Sequence, residues 1–446
     1  MKNSIIYQYL FIVTLLFANP TWGISADVKP PESWITVFVH GIVGLDAKTC
    51  LSNIFQFLTD HIANTTYEKT VEYMRADPFF TKNQAMQELG LLPIDLNNYT
   101  KGYASGSVAR IYNHILSLCP IKQKTYYYTF GWSGLLSFKT RHLDAQCLYS
   151  NLVALTNEKK KRSGIEPKIR LIGYSHGANI CLNLAKVKKE KPYASIPLQI
   201  DELILLGAPI QRETEQLIEN PIFKKIYSFY SRSDHVQKKD MLSSQQLFSK
   251  RVFRNRREFT LPFSLTQIEI KILMEKGLKK KKKTKKTKGK AADVRKRSVV
   301  KGHSWNLKNM SPGHSELWFM AWTPRHYRRN FPFYPTPIVA ITPYLIQLIE
   351  TTSEKQTTSR HVVVDIRPDH NYMVIRHRYP KRKFTLISFL SKDVFNELTF
   401  MAMPNKPDNY TRKEHDKHRT LAQTKAHAYR KEQLRLRRAN RYKKAS

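Results

Sequence analysis

Gly173-Tyr174-Ser175-His176-Gly177 places a serine two residues from a glycine on either side. The run Ile169-Arg170-Leu171-Ile172 before it has strand composition, and Ile180, Cys181, Leu184 and Val187 after it recur at helical spacing. A serine at the apex of so tight a strand-to-helix turn has a strained backbone, so Gly173 and Gly177 are needed where side chains would collide. The turn lifts Ser175 Oγ above the sheet, and the helix N-terminus behind it favours developing negative charge. The chemistry is nucleophilic attack, which needs a base for the hydroxyl proton and at least two donors for an oxyanion. Val39-His40-Gly41-Ile42 closes the first clear strand, and the backbone N–H groups of Ile42 and His176 are the natural pair of donors.

The elements that must hold these groups alternate in type. Strand-like runs cover Trp34 to Val39, Thr125 to Phe130, Ile169 to Gly173, Leu203 to Leu206 and Ile226 to Tyr230. Helical spacing links Leu51, Ile54, Phe55, Leu58 and Ile62, and again Leu143, Cys147, Leu148, Leu152 and Leu155. Strands that are nearly continuous apolar runs, alternating with helices, predict an α/β fold with a mostly parallel, doubly wound sheet covered on both faces. The stretch Asp77 to Lys101 reads as a cap or lid, and Pro337 to Ile349 as a helix bent or started late by Pro343. His361 to Val364 and Tyr372 to Ile375 can pair as a hairpin within a C-terminal extension at 359–404. Residues 405–446 form a basic tail, frayed or helical only on contact.

With HG after an early strand, the G-x-S-x-G turn, and Leu-Gly-Ala-Pro ending the next strand, the chain resembles the α/β-hydrolases of the lipase and esterase type. The resemblance spans roughly residues 33–350, within a domain read as 27–350, and its motifs are specific to the superfamily and not to a substrate. It implies the α/β-hydrolase fold and a triad in the order serine, acid, histidine. The family's acid follows the strand two beyond the serine's strand, which here selects Asp234 in Ser231-Arg232-Ser233-Asp234, with Asp240 in reserve. Two histidines follow in similar settings, His303 and His314. His314 sits on a Pro-Gly turn before an apolar run, as the family's base does, whereas His303 adjoins a lysine run that supports a base poorly. No clean strand precedes His314. His176 and His235 read as turn or surface histidines. The implied reaction is acyl transfer from an ester, lipid esters included, to water, through an acyl-enzyme and with no metal or cofactor.

Composition limits the rest. Lys+Arg of 75 against Asp+Glu of 35 gives +40, which favours anionic partners. More than half of that excess lies in Lys279 to Lys301 and Lys406 to Lys444, at +12 and +10. The first is a low-complexity insertion that cannot pack, and both suit an anionic membrane surface. Nucleic acid is the poorer partner, because no aromatic residues interleave the lysines to stack on bases. A competing reading is a non-catalytic scaffold of the same fold that binds anionic membranes or polymers through these segments. Residues 1–23 have a basic start, an apolar middle and Pro20, the pattern of a signal peptide or an uncleaved anchor, so the protein is expected to be exported. Cys50, Cys119, Cys147 and Cys181 lack zinc spacing. Cys147 and Cys181 read as small hydrophobes on helix faces, with a Cys119–Cys147 disulfide as the alternative.

Overall fold

Short β-branched and aromatic runs, each closed by a glycine or a polar turn, are too brief for helices and pair as strands. The computed structural model of the chain describes residues 32–42, 57, 59–82, 87–120, 123–239, 249–275, 307–322, 327–352, 358–378, 384–408 and 410–445. The expected signal segment, the insertion at 279–301, Asp240, His303 and Cys50 lie outside the described residues. In the first half, the order is β1 (Glu32–Val39), α1 (Thr66–Arg75), α2 (Pro78–Lys82), β2 (Gly90–Pro93), α3 (Ala104–Ser117), β3 (Gln123–Gly131), α4 (Phe138–Ser163), β4 (Lys168–Tyr174), α5 (His176–Val187), β5 (Glu202–Leu206) and β6 (Ile226–Tyr230). The second half adds β7 (Leu265–Glu275), β8 (Leu307–Asn309), α6 (His314–Trp318), α7 (Ile338–Thr352), β9 (Arg360–Arg367), β10 (Tyr372–His377), β11 (Phe384–Ser388), α8 (Lys392–Ala402) and α9 (Arg412–Ala445).

The fold is α/β, with a mixed, mostly parallel 11-stranded sheet and flanking helices. Its order is β11-β10-β9-β7-β6-β5-β4-β1-β3-β2, with β8 paired to β7 off that path. All neighbours from β3 to β9 run parallel, while β2, β10 and β11 extend the sheet in antiparallel fashion. Alternate residues along each strand feed two cores. Ile35, Val37, Leu171 and Leu203 join α4 and α5 on one face, and Phe38, Ile172 and Ile204 join α3 and α7 on the other. After β1 the chain crosses to β3 on one side and then to β4 on the other, so the order switches at β1. The C-terminal ends of β1 and β4 lie side by side there, and such a crevice is where open α/β sheets hold ligands.

Several expectations change. The stretch read as a lid supplies the edge strand β2, which pairs with β3 through Leu91↔Phe130 and so extends the sheet. A strand does precede His314: β7, the longest in the sheet, was hidden by Thr266, Gln267, Glu269 and Lys271 between its apolar residues. The segment 359–404 is no appendage to the sheet. β9 and β10 pair as the expected hairpin, and β9 also runs parallel to β7, so the sheet continues past residue 350. Leu143 and Cys147 face outward from α4, because Ala145, Leu148, Tyr149 and Leu152 form its buried stripe. Cys119 and Cys147 are free thiols, one ending the helix on one face of the sheet and the other on the opposite face. The tail is not frayed. Residues 412–445 form α9, whose first half packs on α1 and α2 through buried Ala422 and Ala426 and a stack of His418 on Phe79. Among the described residues, no helix is long and apolar enough to cross a membrane.

Candidate active site

β4 ends at Tyr174 and α5 begins at His176, leaving Ser175 alone to make the turn. It does so at φ 52° and ψ −129°, a left-handed conformation that a non-glycine residue adopts only under external restraint. The restraint is visible. Ser175 N–H donates to the Leu206 carbonyl at 2.9 Å, and its own carbonyl accepts from Ala178 N–H at 3.1 Å. The two glycines are required by contact: a Cβ on Gly173 would lie 2.7 Å from Ala178 Cα, and one on Gly177 would lie 2.2 Å from the His40 carbonyl oxygen. Gly41 is tight as well, though less so, since a Cβ there would meet Ser175 Cβ at 3.0 Å.

Ser175 Oγ lies 3.1 Å from His314 Nε2, and His314 Nδ1 lies 2.7 Å from Asp234 Oδ2. These three residues come from separate loops, after β4, after β6 and at the start of α6. Asp234 is fully buried, and its other carboxyl oxygen accepts from Gln237 N–H at 3.1 Å. Arg251 fixes the same loop by donating Nε and Nη2 to the Asp234 carbonyl at 3.1 and 2.6 Å. An ionised carboxylate can only accept, so the imidazole proton sits on Nδ1 and Nε2 is left to accept the serine proton. His314 is held from the other side by Tyr174. The tyrosine hydroxyl donates to the His314 carbonyl at 3.1 Å, and its ring stacks on Trp318 with centroids 5.1 Å apart. Buried Glu316 accepts from Gly313 N–H at 2.8 Å and pairs with Arg328 at 2.9 Å, which pins the turn carrying the histidine.

The loop after β1 is built around His40. Arg75 Nη2 lies 3.2 Å from His40 Nε2, and because arginine only donates, Nε2 accepts and Nδ1–H donates to the Gly41 carbonyl at 2.6 Å. Burial, aided by the Arg75 charge, pushes the imidazole down to about 3, so it stays neutral. Trp132 stacks on it and donates Nε1–H to the His40 carbonyl at 2.7 Å. Ile42 follows this clamp, and His176 opens α5, whose first N–H groups point out of the helix. His176 is not a surface residue as expected. It is buried, with Nδ1 3.1 Å from Arg141 Nη1, because α4 packs over the start of α5. His235 is exposed on the turn beside Asp234.

Three supporting residues escape a reading of the sequence. Gly207, seen only as a strand end, has φ 57°, and a Cβ there would approach Asp234 Oδ2 to 3.0 Å and His314 Nδ1 to 3.2 Å. Arg75 and Arg251 carry no local signal, because each reaches its target across the fold. The chain matches no protein-family model, no curated protein and no solved structure. Among the described residues, no group of three or more His, Cys, Asp or Glu is placed to hold a metal ion.

Proposed function

We propose that the protein is a serine hydrolase with the α/β-hydrolase fold, cleaving carboxylic esters through an acyl-enzyme. The observation that carries this reading is the continuous Ser175–His314–Asp234 hydrogen-bond chain, at 3.1 and 2.7 Å, on a strained strand-to-helix turn. The strand order supports the fold assignment: acid and base follow the second and third strands counted outward from β4, with β4 itself carrying the serine. In the proposed reaction His314 Nε2 takes the Ser175 hydroxyl proton as Oγ attacks the ester carbonyl. The oxyanion that forms accepts from the N–H groups of Ile42 and His176. Collapse expels the alcohol, protonated by His314, and a water activated by the same imidazole then frees the acid. Buried Asp234 holds the ring and stabilises the imidazolium.

Lipid esters, export and attachment to an anionic membrane belong to the same reading, motivated by the N-terminal segment and the basic segments. A fluorophosphonate probe tests it. Phosphonylation of Ser175, mapped by peptide mass spectrometry and lost in Ser175→Ala, is the expected result; an intact protein that leaves Ser175 unlabelled sinks the proposal.

A further inference from the structure

At the opposite end of β4 from the serine, the same alternation that builds the two cores puts Arg170 on the face covered by α3 and α7. Arg170 lies five positions before Ser175, roughly 16 Å along a strand. A cavity of about 360 Å³ opens there, bounded by Tyr112, Leu116, Arg170, Glu202, Tyr227 and Ile346. It lies apart from the triad and has no part in the proposed reaction.

Its wall combines an apolar lining with donors that have nothing to bind. Arg170 is 5% exposed, lies over the Trp34 ring at 4.3 Å, and pairs through Nε with Glu202 at 2.5 Å. Its Nη1 has no hydrogen-bond partner. Neither has the Tyr227 hydroxyl or Gln123 Nε2, both on residues that line the same cavity. Buried donors without partners cost free energy, and their convergence on one cavity points to a ligand that accepts. Burial raises the Tyr227 hydroxyl well above its ordinary value, so it keeps its proton to donate. The two carboxylates present are already matched: Glu202 by Arg170, and Glu350 by Lys225 at 2.9 Å and by Arg360. Within the wall Arg170 and Lys225 balance Glu202 and Glu350, so the demand for an acceptor comes from the unpartnered donors and not from surplus charge. Leu116, Pro343 and Ile346 supply the apolar part of the wall.

We propose that this cavity binds a monocarboxylate with an apolar tail, its head on Arg170, Tyr227 and Gln123 and its tail along α3 and α7. The three donor atoms are recessed from solvent, so the head engages them as the wall yields slightly, and burial of the tail favours that adjustment. The site stands independently of the hydrolase reading.

Isothermal titration of the full chain with octanoate, at fixed ionic strength, tests the proposal, with acetate and octylammonium as controls. Octanoate is expected to bind at least about tenfold more tightly than either, since head and tail both contribute. Tyr227→Phe keeps the ring and removes the hydroxyl. It should weaken octanoate by about tenfold while thermal stability holds or rises, because no hydrogen bond is lost in the free protein. Ile346→Trp, which fills the cavity, should abolish binding and serves if the tyrosine variant folds poorly. Equal octanoate affinity in parent and variants overturns the site. So does acetate binding as tightly as octanoate, which would mean that surface charge alone attracts the anion.

Discussion

Ser175 touches its surroundings through main-chain bonds as well as through Oγ, so removing the hydroxyl leaves the turn held by Leu206 and Ala178. Ser175→Ala is therefore expected to fold normally and to lose ester turnover by on the order of 10⁴ or more, read as initial rates on a soluble short-chain ester. His314→Ala should be as damaging, and the double variant no worse than either single one, because the residues act as a unit. His303→Ala should be mild; a collapse there with His314→Ala active would reverse the choice of base. Gly207→Ala makes a sharper test of geometry. Its methyl group would press on the Asp234–His314 pair from a positive φ, and a displacement of about 1 Å is worth on the order of 10² in turnover. Normal activity in Gly207→Ala means that the pair is not held where it stands. The serine and its glycines are legible in the sequence because their constraint is local, five residues in a row. Asp234 and His314 are legible only through chain order. Gly207, Arg75 and Arg251 are not, since their partners lie on other segments.

At the level of elements, the loop after β1 depends on α1, because Arg75 at the end of that helix fixes the tautomer of His40. This dependence has a pH signature. In the unfolded chain His40 titrates near 6.5, whereas in the fold it is held down to about 3. Between those values the unfolded state binds the extra proton, so stability is complete above pH 6.5 and falls as the pH drops, by about 1.4 kcal/mol per unit from this residue. His361, lowered to about 4 chiefly by burial, acts in the same direction over a narrower window. Urea unfolding of His40→Asn across pH 4 to 7 should show a slope shallower by close to one proton; an unchanged slope would rule the origin out. Element boundaries are legible where apolar residues are contiguous, as in β1, β4 and β5. β7 is obscured because its polar residues are buried with partners from afar: Gln267 accepts from Phe253 N–H at 2.8 Å, and Glu269 pairs with Arg232 at 2.9 Å. The outward turn of Leu143 and Cys147 on α4 has the same root, a buried stripe chosen by tertiary contacts over spacing alone.

Across the whole molecule, charge is concentrated on a helix that is half docked and half free. α9 lies on α1 as far as Tyr429, whose ring meets Lys69 at 5.0 Å, and the 16 residues from Arg430 to Ala445 add roughly 24 Å of helix. Leu434 and Leu436 are exposed there among arginines. Deleting residues 430–446 should leave soluble-ester turnover within a few-fold of the parent while reducing co-sedimentation with anionic vesicles at low salt. The attraction is worth about 1 kcal/mol per basic residue at the surface, and salt screens it within about 8 Å. Undiminished vesicle binding would remove α9 from this role. Deleting 406–446 is a different experiment, because it uncovers Met74 and Phe80 and should cost stability. The pairing of β7 with β9, from Thr266↔Arg360 to Ile272↔Ile366, joins chain segments on either side of the insertion. A specific protease site placed at Gly289 would divide the chain into one fragment with Ser175 and Asp234 and another with His314. The nicked protein should stay active through that ladder. Each fragment alone should be inert, and recovery after dilution from urea should become second order in protein. Continuity of the backbone would then set the kinetics of assembly and leave the chemistry untouched.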